Sequence, residues 1–283
     1  MSTETPSPSS ANTELRSIES SADAHLSESA ASQIARRLDT TLVTAGRVVV
    51  IGLGGIGQPL ARAVGTFLGG ICFALEALDV RLVLYDGDSY HDENAYRMNV
   101  PSLGNKAEVL GGELLQQISC QNLQVRWVGE YVTPENVAQV VRDRDCVLLA
   151  CDNHATRHVV GRHCATLEHV TLISGGNDGV EDGLRGTYGN VQVHVRREGR
   201  DQTAPLDRFH PEIAEPADRQ PQDLSCLELV MAGVPQLSFL NLAVASAMCN
   251  ALLRLMMLGL ADPMYDEANL DIVDGVCVPH WLS

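Results

Sequence analysis

The chain has 283 residues but only one lysine, Lys106, although Lys and Arg together number 20. Every other fixed cation is an arginine, so the surroundings of that lysine are informative. Positive charge is short overall: 36 Asp and Glu against 20 Lys and Arg leave a formal net charge of −16 and a pI near 4.8. Nucleic-acid phosphates recruit clustered Lys and Arg, so no nucleic-acid partner is expected; an acidic surface suits a basic or neutral one. The eight cysteines include no Cys-x-x-Cys pair, which removes the usual structural zinc spacing and the thioredoxin-type redox motif. No zinc is expected. The N-terminal residues lack the apolar core of a signal peptide, so the expected compartment is a reducing cytoplasm.

A hydrophobic fraction of 45% is ordinary for a chain with a real core, and the length suits one large domain. Residues 1–33 are rich in Ser, Thr and Glu with little apolar content. They cannot bury enough surface to offset ordering entropy, and a disordered tail is expected there, ahead of a domain over 34–283. A short helix is expected within 33–43.

From residue 47 onward strand and helix patterns alternate. Apolar runs at 47–52, 80–86, 123–129, 145–151 and 170–176 read as strands; 55–78, 106–118, a stretch near 134–142, and 155–168 read as helices. Such alternation predicts an α/β fold, a doubly wound, mostly parallel sheet with helices on both faces. After 180 the pattern is less regular. Residues 186–197 (GTYGNVQVHVRR) alternate rather than running continuously apolar, and 199–225, rich in Pro, Asp, Glu and Arg, reads as a long mobile loop. The stretch 234–261 is apolar enough to raise the membrane question. It contains Arg254, Ser238, Asn241, Ser246 and Asn250 and has no basic flank, which favours a core or subunit-interface helix, with no membrane partner.

The first strand runs into VVVIGLGGIG, placing Gly52, Gly54, Gly55 and Gly57 between a strand and a helix. Glycines there allow a tight turn and let a nucleotide approach the backbone at the helix N-terminus. Gln58 and Pro59 stand where a Walker loop needs Lys and Ser/Thr, which excludes a P-loop NTPase but leaves NAD and ATP both open. Asp86 ends the second strand, later than the offset of about 20 residues in a dinucleotide fingerprint. It is placed to accept hydrogen bonds from ribose hydroxyls, or to be a surface acid at a strand end.

The stretch YDGDSYHDENAYRMN (85–99) adds a second acid, an amide and a cation: Asp88, Asn94 and Arg97. Phosphate chemistry explains that company better than hydride transfer does. Adenylyl transfer needs cations around the phosphates and an acid to hold Mg2+. Arg97 is a planar donor, and Lys106 opens the next helix, where a point charge reaches phosphate. LLACDNHATR then sets Asp152 at another strand end, with Asn153 and Arg157 beside it. Strand C-terminal ends are where α/β sheets place ligands, so these groups are expected to converge on one crevice.

The ordered set D-x-D-x5-N-x2-R, G-x-K and C-D-N-x-A-T-R, on a G-x-G-G-x-G Rossmann unit, resembles the ThiF/MoeB/HesA family of ubiquitin-activating-type enzymes. The resemblance implies a Rossmann-like fold and ATP- and Mg2+-dependent adenylation of a C-terminal carboxylate. The substrate it implies is a small ubiquitin-like protein or a peptide with a free C-terminus. It also implies a homodimer and, in some pathways, a conjugating enzyme as further partner. Gly52, Gly54, Gly55 and Gly57 would then carry the nucleotide, Asp86 the ribose, and Asn94, Arg97 and Lys106 the phosphates. Asp152 would hold Mg2+, and Asp88 would support the site. DLSCLELVMAGVPQLSFLNLAVASA resembles the family segment in which a cysteine precedes an apolar helix. Cys226 is accordingly either the nucleophile that takes over the acyl group or a small buried hydrophobe. The sequence departs from the family at Met98, where glutamine is usual, and in a shorter interval between Arg97 and Lys106. Only Arg36 and Arg37 lie near the place of the N-terminal segment that lends an arginine across the dimer. Two other classes use the same glycine turn: an NAD(P)-dependent oxidoreductase and a catalytically inactive ThiF-like scaffold subunit.

Overall fold

A computed structural model describes residues 32–33, 35–75, 78–96, 98–118, 120–181, 184–224, 236–257 and 264–280. Nearly all of the expected tail lies outside the described residues, and so do Arg97 and Cys226.

Strands β1 (Val48–Ile51), β2 (Val80–Tyr85), β3 (Leu123–Val128), β4 (Cys146–Leu149) and β5 (Val170–Asn177) stand in the order β3-β2-β1-β4-β5, each parallel to its neighbours. The sheet then continues antiparallel through β6 (Tyr188–Arg197), β7 (Glu267–Asp271) and β8 (Val276–His280). This is the mostly parallel α/β sheet that the alternating pattern predicts, with its less regular part forming the antiparallel edge.

Val48, Val49, Val50 and Ile51 are each at most 2% exposed. A strand covered on both faces needs such a run, and burying each of these side chains contributes about 1.5–3 kcal/mol. Helices α1 (Gly57–Ala74) and α2 (Lys106–Gln117) cover one face, setting Leu60, Val64, Leu68, Leu110 and Leu114 against Val48, Val50, Leu82 and Leu84. On the other face α3 (His154–Cys164) brings Val160 and Cys164 over Val49, Ile51, Val147 and Leu149. The helix expected near 134–142 is reduced to one turn, Val137–Val140.

Within the expected 234–261 stretch, the helix is α4 (Ser238–Met256), packed on α1, β5 and β6. It is long and apolar enough to cross a membrane by length and composition alone. Leu240, Val244, Met248 and Leu252 join the same core as α1, whereas Phe239 and Leu242 are exposed.

Strand β6 alternates, yet its polar members Gln192 and His194 are 4% and 0% exposed. The reason is the segment after it. Within 199–224, Thr203 Oγ1 bonds Val193 O and Val195 N, and Ala204 N–H donates to Asp266 (2.6 Å). His210 lies between Glu212 and Glu267, at 2.9 and 2.6 Å, while Leu206 and Ile213 are buried. Composition gives no sign of these attachments.

From β1 the chain builds β2 and β3 on one side and then returns to β4 and β5 on the other. That reversal opens a crevice at the strand C-termini beside β1. At the opposite ends of β1 and β4, Arg47 and Asp145 form a buried ion pair (2.5 Å).

Candidate nucleotide site

The glycine turn closes β1 at that crevice. Gly52 has φ +83°, a left-handed conformation that a side chain would strain, and its N–H donates to Tyr85 O (2.9 Å). Gly57 starts α1 so close to the turn that a Cβ would stand 1.8 Å from Gly52 O. Over Gly54 there is open space. The start of α1 has no side-chain cap, but Gln58 N–H already donates to Gly54 O (3.0 Å) and Pro59 carries no N–H.

Asp86, just past β2, reaches back to this turn. Its Oδ2 accepts from Leu53 N–H (2.6 Å) and its Oδ1 from Asp88 N–H (2.8 Å). Burial pushes its carboxyl up from the ordinary value, against the opposing pull of Lys106 and the two N–H groups. The carboxylate oxygens retain lone pairs for further donors.

Ser89–Tyr90 pairs antiparallel with Gly104–Asn105, and this short ribbon folds the start of α2 back onto the end of β2. The one lysine is thereby buried, 4% exposed, in an ion pair with Asp88. Asn105 ties the junction. Its Oδ1 caps α2 by accepting from Ala107 and Glu108 N–H (3.0 and 3.1 Å), and its Nδ2 donates to the carbonyls of Asp86 and Asp88 (2.9 and 3.1 Å). Such a cap contributes about 1 kcal/mol.

Asn94 accepts from His91 N–H (2.9 Å) and so fastens the 3-10 turn Asp92–Tyr96. Gln58, buried in the first turn of α1, holds both ends of this segment: its Nε2 donates to Tyr90 Oη (2.7 Å) and to Asn99 O (2.5 Å). Asp152 is exposed just beyond β4. Among the described residues no group of three or more His, Cys, Asp or Glu forms a metal cage. A lone open acid fits Mg2+, which proteins usually hold by one or two carboxylates with phosphate oxygens completing the shell.

Not every expected group faces the crevice. The Arg157 guanidinium turns into the sheet, donating to Cys151 O (2.8 Å) and Gly175 O (2.7 Å), so it braces the strand end that carries Asp152. Burial raises the Cys151 thiol, and its Sγ lies against Ile51 O. Asn153 caps α3 through Thr156 N–H (2.8 Å). Asp218 arrives there from the 199–224 segment, accepting from His154 N–H, Ala155 N–H and Asn153 Nδ2 (2.8, 2.9 and 2.7 Å). Asn105 was findable as an amide just ahead of a helix. Gln58 and Asp218 carry no sequence signal of their contacts.

A glycine turn, a strand-end acid and a buried lysine gathered where a parallel sheet reverses its order define a Rossmann-type α/β protein. The chain belongs to the ThiF family, whose sequence pattern it matches over residues 27–272. No curated protein matches the sequence. Among solved structures, E. coli MccB with ATP is similar at TM-score 0.58 and 14% identity, over 86% of this chain and 65% of that one. The Microcin C7 biosynthetic enzyme MccB in complex with N-formylated MccA gives 0.60 and 15%, over 86% and 66%. PaaA gives 0.53 and 17%, over 85% and 65%. The chain therefore spans about 65% of the length of the structures it resembles.

Proposed function

We propose that this protein uses ATP to adenylate the C-terminal carboxylate of a peptide or a small ubiquitin-like protein. A carboxylate oxygen of the substrate attacks the α-phosphorus, the bond to the β-phosphate oxygen breaks, and pyrophosphate leaves with that electron pair. An acyl-adenylate remains. One observation carries the reading: the only lysine is buried between the strand-end acids and the start of α2, beside a glycine turn open over Gly54. That cation, together with the open acid Asp152, has a role with ATP and Mg2+ and none obvious with a nicotinamide, so ATP is favoured over NAD(P).

In this reading Asp86 accepts from the ribose, and the turn from Gly52 to Gly57 admits the phosphates. Lys106 and Arg97 balance charge as pyrophosphate departs, and Asn94 contacts the phosphates. Asp152 would hold Mg2+, which when bound neutralises phosphate charge. Cys226 takes the acyl group in a second step, its thiolate displacing AMP. A homodimer in the cytoplasm, with a conjugating enzyme where the acyl group is passed on, completes the proposal. The MccB complexes with ATP and with N-formylated MccA are of the kind such a reaction requires.

The test is ATP binding together with ATP–pyrophosphate exchange, using the full chain, Mg2+ and pooled heptapeptides with free C-termini, alongside ubiquitin-like proteins ending in Gly-Gly. Carboxylate-dependent exchange is expected. Absence of both ATP binding and exchange would sink the reading in favour of a scaffold, and tighter binding of NAD than of ATP would favour the oxidoreductase.

A further inference from the structure

Asn241 stands out as an amide in the first turns of an apolar helix. It is 1% exposed, and its Oδ1 accepts from Nδ2 of Asn177 (3.0 Å) at the end of β5. This bond leaves two buried polar atoms with no partner, Asn241 Nδ2 and Asn177 Oδ1. Turning both amides over exchanges the atoms but still leaves one donor and one acceptor unmatched. Native interiors hold few such atoms, and a missing ligand or water is a physical reason for them. The orphaned donor also has a direction: a Cβ placed on Gly55 would stand 2.1 Å from Asn241 Nδ2, so the amide is packed against the glycine turn. Asn177 is partly exposed, so the pair lies just beneath the surface at the strand ends, with the two orphaned atoms themselves covered.

The strand order indicates what such a pair serves. Asp86 follows β2, on one side of β1, whereas Asn177 ends β5, two strands away on the other side. With the ribose at Asp86 and the phosphates at the glycine turn, the nucleoside extends away from Asn177. The Asn177–Asn241 side is left for the second substrate to approach the α-phosphate. One residue of an extended peptide shows its N–H and its C=O along the same edge, and a neighbouring acceptor and donor complement them.

We infer that Asn177 and Asn241 hold the main chain of the residue preceding the reacting C-terminal residue of an extended peptide substrate. Asn177 Oδ1 accepts from its N–H and Asn241 Nδ2 donates to its C=O. The inference rests on the adenylation reading and adds the part of the substrate that is recognised. It requires no particular side chain, so it acts through the backbone and sets register rather than sequence preference.

The test follows the side-chain amide resonances of Asn177 and Asn241 in the 15N-labelled full chain, assigned from Asn177→Ala and Asn241→Leu. The probes are N-acetylglycylglycine, O-acetylglycolylglycine (an ester oxygen replaces the N–H in question) and α,β-methylene-ATP. Added to the chain already saturated with the nucleotide analogue, N-acetylglycylglycine should move both sets of resonances, and the ester analogue should move them about fivefold less. The inference is overturned if the peptide moves neither or if peptide and ester act alike. Failure of the adenylation reading shows elsewhere, as backbone amides of Gly52–Gly57 that stay unshifted on adding the nucleotide analogue. Because these titrations use the unsubstituted chain, a variant that fails to fold costs only an assignment, which backbone-linked experiments can replace.

Discussion

Lys106 and Asp88 form an unequal ion pair: the ammonium side chain is 6% exposed and the carboxylate side chain 43%. The two partners should therefore respond differently to removal. Asp88→Asn strands a buried cation and should destabilise the fold by about 1–3 kcal/mol. Lys106→Met leaves an acid that water can solvate, and stability should change less. Activity should show the reverse order, with Lys106→Met lowering the rate of pyrophosphate exchange by about 100-fold or more. Lys106→Arg should not restore it, because a planar guanidinium is not a spatial substitute for a compact ammonium. Urea unfolding and exchange assays on the same preparations separate the two effects.

Asp152 is exposed just beyond β4, which turns it into a clean probe of the metal. Asp152→Asn should leave unfolding free energy within about 0.5 kcal/mol of the unsubstituted chain. Under the adenylation reading it should raise the Mg2+ concentration needed for half-maximal exchange by about tenfold or more. A Mg2+ titration at saturating ATP checks this, and an unchanged midpoint would remove Asp152 from the metal's shell.

Arg47 and Asp145 provide the contrasting case, a pair that matters to the fold and lies far from the chemistry. The Arg47 guanidinium bonds both oxygens of Asp145 and Val140 O, and Asp145 also accepts from the N–H groups of Arg47 and Arg142. Asp145→Ala should cost about 3–5 kcal/mol, since it leaves a buried guanidinium unbalanced. ATP affinity of the folded fraction should not change. Denaturation followed by tryptophan fluorescence, with ATP binding measured in parallel, decides it.

His210 should make the packing of the 199–224 segment depend on pH. The hydrogen bond to Glu267, helped by Glu212, raises its pKa against the effect of burial. Burial raises Glu267 and Glu212, but bonding to His210, preceded at Glu212 by a hydrogen bond from its own backbone N–H, outweighs it and leaves both lowered. A raised histidine stabilises fully below its unfolded value of about 6.5 and loses that contribution as pH rises through its folded value. The lowered acids stabilise above about 4.5 and lose their contribution as pH falls through their folded values. Between those limits the clamp is strongest. Proteolytic nicking within 199–224 should be slower at pH 6 than at pH 9, and His210→Leu should abolish the difference.

By itself the sequence determined the architecture and supplied the candidate site residues. Periodicity is a local property, so continuous apolar runs at β1 and β4 and the helical patterns between them predict a parallel sheet covered on both faces. The glycine turn is equally legible, because a left-handed Gly52 and a Gly57 with no room for a Cβ demand that residue type whatever surrounds them. Asp86, Asp88, Asn94, Lys106 and Asp152 were singled out as candidates by their order along the chain.

Only the tertiary structure decided how those groups are held. Asp88 and Lys106 meet because a two-residue ribbon folds the chain back, and Arg157 turns inward because carbonyls of Cys151 and Gly175 converge on it. Gln58 reaches Tyr90 and Asn99, Asp218 reaches the start of α3, and Asn241 reaches Asn177 across long separations in sequence. Hydrogen bonding in a folded interior depends on which donors and acceptors burial brings within about 3 Å. Composition and spacing contain no term for that, and a side chain's partners are fixed only when the sheet and its helices have closed around it.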